Sequence, residues 1–381
     1  MKIQRVGYHE YIGDPREWVL EPLCFGSINL IVGKNATGKS RTLNVIHGLS
    51  RLIAASHKLQ FEAGAYSVQF DDDGSIYQYD VEMGARKVIK ETLTRDGKAL
   101  FERNQDGIGT IYSAKTQAMD EFSIPNDVLV LGAKRDRIQH PFVEIFHEWS
   151  SRVRYYAFSS SLGRDQLAQM PELMALENAD AAVDHSRLYD VYSRGYRQWG
   201  VPFDEMILRD LGRLGYDCED VGMDQWAPPG LTGLQLAAIY VKERSLPGRT
   251  FQSLMSQGMF RALGMVIHLT YATFAKESRT VLVDDIGEGL DFERANAFVK
   301  LLTERCQELE LQLFMTSNDR FVMNSVALDD WCILRRDGTR VSGVNQRNAP
   351  DVFKKFKYSG LSNFDFFSSR YFESQTLERG E

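Results

Sequence analysis

An α/β fold built on a mainly parallel core sheet is what this 381-residue sequence predicts. Three observations carry the prediction. Short apolar runs of strand length, "SINLIV" from Ser27, "VLVD" from Val281 and "LQLFMTS" from Leu311, are separated by helix-length segments. After the first run, Leu43, Ile46, Leu49 and Ile53 recur at spacings of three and four, which gives one apolar helical face. Between that run and that helix stands "GKNATGKS", a complete G-x-x-x-x-G-K-[ST] pattern in the strand–turn–helix setting the pattern requires.

Composition sets the frame. Hydrophobic residues make up 43% and charged residues 25%, an ordinary globular balance for one large domain with insertions or two modest ones. No apolar run of about eighteen residues occurs, so no membrane span is expected. The opening "MKIQRVGYHEYIG" reads as a first strand rather than a secretory leader. Cys24, Cys218, Cys306 and Cys332 show no paired spacing, which suggests neither a disulfide framework nor a zinc site and fits a reducing cytoplasm. A net charge of −7 disfavours nucleic acid at the level of the whole molecule. The clusters "AKRDR", "LRRDGTR" and "KKFK" permit such contact, each reading more readily as a solvated face than as a phosphate groove.

The elements follow in order. Tyr66 to about Tyr112 alternates and is punctuated by "DDDG", "RDG" and "QDG", the pattern of an antiparallel meander with tight turns. "DVLVLG" from Asp127 reads as a short buried strand, and Pro141 to Gly230 as mostly helix with "RVRYYAF" a candidate strand. "LQLAAIYV" reads as strand, "SQGMFRALGMVIHLTYATFA" as a long helix, "FERANAFVKLLTERCQEL" as helix and "DDWCILRR" as a strand near the sheet's edge. The expected organisation is a core of 1–140 and 231–345 carrying the meander at about 66–113, a mostly helical insertion at 141–230 and an aromatic-rich tail at 346–381.

The loop's chemistry follows from its geometry. Glycines let Gly33, Lys34, Asn35, Ala36, Thr37 and Gly38 curl until successive N–H groups form an anion nest. The following helix faces the phosphates with the positive end of its dipole. Lys39 then reaches the β- and γ-phosphates of ATP, the Ser40 hydroxyl meets Mg²⁺, and Arg41 adjoins them. Asp284, at the tip of a buried strand, is a carboxylate placed for the same Mg²⁺, and Asp285 follows where it would polarise an attacking water. Ser256, Gln257 and Gly258 open a helix. Ser256 reads as its N-cap, and the Ser-x-Gly start also offers N–H groups and a hydroxyl to a γ-phosphate.

This order of loop, serine-glycine helix and aspartate strand resembles the ABC-type ATPases. "INLIVGKNATGKSRTL", "LMSQGMFRAL" and "VLVDDIGEGLD" look like their soluble branch, with its RecF-like and SMC-like heads, overcoming-lysogenization-defect proteins and bacterial antiphage ATPases. The resemblance implies a phosphate-loop NTPase in which two copies sandwich two ATP molecules, Ser256, Gln257 and Gly258 acting across the dimer. It implies that Asp291 lies in a loop communicating between the two sites, and that a glutamine contacts the metal. Gln139 is the candidate for that glutamine, its other reading being a plain loop residue.

Two positions depart from the family pattern. Asp285 stands where the family has glutamate; one methylene less displaces the carboxylate by roughly 1 Å, a shift that costs about a hundredfold in rate. Asn318 stands where a histidine contacts the γ-phosphate, and asparagine takes no proton near neutral pH. Slow hydrolysis is therefore expected, with ATP occupancy acting as a switch for assembly.

By resemblance, the expected role is a cytoplasmic homodimer or higher homo-oligomer controlling a separately encoded nuclease or toxin in antiphage defence. A DNA-repair ATPase clamping duplex DNA is the alternative. A self-contained ribonuclease using Arg135 and His140 of "RDRIQH" is the third. The tail crowds Phe353, Phe356, Tyr358, Phe364, Phe366, Phe367, Tyr371 and Phe372 into twenty residues. It reads as a segment packed on its own core or as an aromatic anchor for a partner.

Overall fold

Ile28–Val32, the apolar run ahead of the glycine loop, is a strand buried along its whole length, because parallel strands are covered on both faces. In the computed structural model, which describes residues 1–54, 59, 62–158, 164–169, 183–227, 236–276 and 280–373, it lies inside a large mixed sheet. The chain divides into two units.

The first unit comprises Met1–Tyr155, Ser278–Asp284 and Glu310–Glu381. Thr280–Asp284, Gln312–Thr316, Ile28–Val32 and Trp331–Asp337 run parallel in that spatial order. Val153–Ala157 flanks Thr280–Asp284 on the outer side. On the other side, Arg340–Asn345, Trp18–Cys24 and Lys2–Glu10 lead from Trp331–Asp337 to the meander. Trp331–Asp337 is thus an interior strand and not the edge strand its charges suggest. Only its first four residues are buried, and the charges fall at its exposed end.

The meander forms as six antiparallel strands from Ala63–Asp72 to Ala118–Ser123. Its turns explain the Asp-Gly signals. Asp73-Gly74 and Asp96-Gly97 have φ of 51 and 89° and of 50 and 77°, the paired left-handed residues of tight hairpins. Tyr66, Val68, Phe70, Tyr77, Tyr79 and Val81 turn to one face and are buried. There Phe70 meets Phe146 and Trp149 edge-on at 5.2 and 4.9 Å, on the helix Pro141–Ser151.

"DVLVLG" is not a strand. Val130–Ala133 is a one-turn helix, and a buried carboxylate receives the N–H at its start. Glu91 is fully buried and accepts the Val130 N–H at 2.9 Å and the Tyr79 hydroxyl at 2.9 Å. It also pairs with Arg103 at 3.0 Å, whose other nitrogens donate to the carbonyls of Pro125 and Val128. A negative charge at a helix start favours the helix, against the strand preference of the β-branched run.

The tail packs on itself. Phe353, Phe356, Phe366 and Phe372 are buried, with Phe366 4.8 Å from Phe353 and 4.7 Å from Phe356. Tyr358 is 82% exposed. Residues 374–381 and the expected boundary at 230/231 lie outside the described residues.

The second unit comprises Tyr156–Glu277 and Asp285–Leu309. Among the described residues, its helices are Leu188–Trp199, Val201–Arg213, Gln257–Ala275 and Phe292–Glu308. Leu236–Glu243 pairs antiparallel with Cys218–Trp226, Ala168–Gln169 and Thr250–Phe251. Arg305 Nη2 donates to both oxygens of Asp210 at 2.9 and 3.0 Å, and this buried pair joins the second and fourth of these helices.

Candidate nucleotide-binding site

Gly38 shows why the loop needs its last glycine: φ is +104°, and a β-carbon there would come within 3.3 Å of the Trp18 ring. The helix begins at Lys39, with the Thr42 N–H and hydroxyl both donating to the Gly38 carbonyl at 2.8 and 2.9 Å. Leu43, Ile46, Leu49 and Ile53 anchor it in the core, as their spacing predicts. The Lys39 side chain is buried, and its ammonium donates to the carbonyls of Gly33 at 3.0 Å and Lys34 at 3.4 Å. Lys34, Asn35 and Ala36 are exposed at the loop's crest. The Thr37 hydroxyl donates back to the Lys34 carbonyl at 2.8 Å. Arg41 lies 4.3 Å above the Trp18 ring and pairs with Glu10. Trp18 has no signal in the loop motif; only the fold brings it beneath Gly38.

Asp284 is 5% exposed and both its oxygens are engaged within the first unit. Thr316 donates to Oδ1 at 2.5 Å and Tyr155 to Oδ2 at 3.2 Å. Tyr155 is stacked at 5.0 Å on His47, whose imidazole is held below its ordinary pKa by burial and then by Arg51. Neither Thr316 nor Tyr155 was marked by the sequence motifs.

Asn318 donates to Asn35 Oδ1 at 3.0 Å, which places it against the crest of the loop. Gln139 is exposed in a turn; its N–H donates to Asp136 at 2.9 Å and its carbonyl accepts from Ala114. The strand that flanks Asp284's strand is Val153–Ala157, not the segment leading to Gln139.

In the second unit, Asp285 has φ +53°, a left-handed conformation. Aspartate tolerates that region better than residues with longer side chains, which accounts locally for the shorter carboxylate. Glu288 is exposed. Ser256 caps the helix Gln257–Ala275 by accepting the Met259 N–H at 3.2 Å. A β-carbon on Gly258 would lie 2.3 Å from the Gly289 carbonyl oxygen. Arg261, one turn on, donates to the Glu288 carbonyl at 2.8 Å. The helix start is thus locked to the loop that follows Asp285. Asp291 caps the next helix, accepting the Arg294 N–H at 3.0 Å and pairing with its guanidinium at 2.6 Å.

Arg135 and His140 are structurally committed. Arg135 pairs with Glu144 at 2.9 Å, and the buried His140 ring sits 3.0 Å from the Tyr112 carbonyl.

The donors suit Mg²⁺. Ser40 and Asp284 offer hard oxygens, and this ion is held by one or two carboxylates together with substrate phosphates. Among the described residues no group of three or more His, Cys, Asp or Glu could hold a metal alone, so the nucleotide would supply the remaining ligands. Likewise, among the described residues, no helix is long and apolar enough to cross a membrane.

A protein-family model described as "AAA domain, putative AbiEii toxin, Type IV TA system" matches residues 28–324. No curated protein matches in sequence. Among solved structures, an Smc head bound to the C-winged helix domain of ScpA is similar at 12% identity and TM-score 0.52, covering 90% of this chain and 97% of that one. A Pyrococcus furiosus Smc head with an extended coiled coil, bound to the C-terminal domain of ScpA, covers 93% and 99% at 12% identity and TM-score 0.49. An SMC head domain from Thermotoga maritima covers 91% and 99% at 14% identity and TM-score 0.45. The first of these extends the likeness in fold over nearly the whole chain.

Proposed function

Since the chain belongs to the AbiEii-type AAA-domain family and is an ATPase with the fold of an SMC head, we propose that ATP occupancy is the signal it passes to a separate partner protein. Lys39 and the loop's N–H groups grip the triphosphate. Ser40 and Asp284 would hold Mg²⁺, which would neutralise phosphate charge. Asn318 orients a phosphate oxygen or a water from the crest. Ser256 and Gly258 of a second copy complete the site, so that ATP closes a homodimer.

The observation that carries this reading is Asp285 at φ +53°. A carboxylate one methylene shorter than glutamate, on a left-handed turn, supports slow turnover and a long-lived ATP-bound state. A separate partner is supported by the Smc head relative, which is bound to a domain of another protein, ScpA. In this setting the partner is a nuclease or other toxin of a defence system. The family description favours a second reading, in which this chain is itself the toxic component. Expression of the chain alone separates the two: growth arrest supports the second.

Mass measurement in solution with and without ATP tests the proposal, alongside steady-state turnover. The wild type should dimerise in ATP and turn over slowly, and Lys39→Ala should do neither. A monomer at saturating ATP, or tens of turnovers per second, would sink it.

A further inference from the structure

The phosphate loop is clasped from both neighbouring strands. Ile28–Val32 lies between Gln312–Thr316 and Trp331–Asp337. Past the end of the first, Asn318 reaches Asn35; from the second, Arg336 Nη1 donates to the Ala36 carbonyl at 3.0 Å. Arg336 Nε donates to the Gly338 carbonyl at 2.9 Å, so the guanidinium is held at two points. Ala36 has φ +65°, a conformation that a β-carbon disfavours and that the surroundings must hold in place. Arg336 is exposed, so it is not a core residue. Its Nη2 amine keeps donors to spare beside the crest of the loop. The "LRRDGTR" cluster, which reads from sequence as a solvated face, therefore carries one arginine directed at the loop.

We propose that Arg336 is a nucleotide-positioning residue. It turns the Ala36 carbonyl outward, which directs the N–H groups that follow toward the phosphates, and it adds a positive charge to the nest. The inference rests on the nucleotide reading of the loop. A lysine could supply the charge and one donor but not the two-point hold.

Equilibrium ATP binding and steady-state kinetics on the full chain test this. Arg336→Ala should weaken ATP affinity about tenfold, on the scale of one charge-assisted hydrogen bond. KM should rise in proportion while kcat stays within about twofold. Arg336→Lys should fall between wild type and the alanine variant, and Arg336→Gln should behave like the alanine variant. The thermal midpoint without nucleotide should not move. Wild-type ATP affinity in Arg336→Ala, beside abolished binding in Lys39→Ala, would overturn the proposal and leave the nucleotide reading intact. A fall in kcat alone, or a lowered midpoint without nucleotide, would also overturn it. If Lys39→Ala binds ATP normally, the nucleotide reading and this inference both fail.

Discussion

The Thr316 hydroxyl donates to Oδ1 of Asp284 across 2.5 Å, and both side chains are buried. This contact fixes the carboxylate at the tip of its strand from the neighbouring parallel strand. Replacing Thr316 by the near-isosteric valine leaves a buried carboxylate oxygen without its donor. Thr316→Val should cost about 1–3 kcal/mol in a urea denaturation series and lower ATPase activity. An unchanged denaturation midpoint together with unchanged activity would show that the contact does not hold the aspartate.

Gly258 has a steric reason to be glycine. With the Gly289 carbonyl 2.3 Å from the position of a β-carbon, Gly258→Ala must push the loop away from the helix start. The expected result is about 1–3 kcal/mol of destabilisation and a loss of ATPase activity. Full stability and activity in this variant would mean that the loop yields at no cost.

Glu91 and Arg103 form an ion pair with both side chains fully buried. Burial raises the Glu91 pKa and outweighs the opposing pull of Arg103. Removing either partner alone leaves an uncompensated charge, so Glu91→Ala should cost about 3–5 kcal/mol in chemical denaturation. The double change Glu91→Leu with Arg103→Met should be less destabilising than the sum of its single changes. Additive effects would contradict the pairing.

Asp204 is half-buried in the second unit, and burial pushes its pKa up to about 6 despite the Tyr192 hydroxyl 2.8 Å away, with nearby Asp220 adding to the rise. Its folded pKa lies above its unfolded value of 3.8. Its stabilising contribution is therefore complete below pH 4 and is lost as pH rises through about 6. Partial exposure limits the amplitude to about 1 kcal/mol. Denaturation midpoints measured from pH 4 to pH 7 should show this decline, and Asp204→Asn should flatten it. A midpoint that rises over that interval in wild type but not in Asp204→Asn would reverse the assignment.

The features legible in the sequence were those written in consecutive residues. Leu43, Ile46, Leu49 and Ile53 announced the loop helix, and Asp73-Gly74 and Asp96-Gly97 announced the hairpins. Ser256 announced its own helix start. The run Val128 to Leu131 misled, because the N–H at its helix start is received by Glu91, a residue about forty positions away whose charge has no local signature. Gln139 follows that run in the chain, but another strand, Val153–Ala157, lies beside the strand of Asp284.

By itself the sequence determined the phosphate loop, the loop helix and the buried strand ending in Asp284, since spacing and periodicity act over a few residues of backbone. Only the tertiary structure decided which groups hold these pieces in place: Thr316 and Tyr155 on Asp284, Trp18 beneath Gly38, and Arg336 on Ala36, 300 positions apart. The physical reason is that such contacts depend on which strands lie side by side. Parallel pairing joins segments through long connections, so the partner of a polar group is chosen by sheet order and not by its neighbours in the chain.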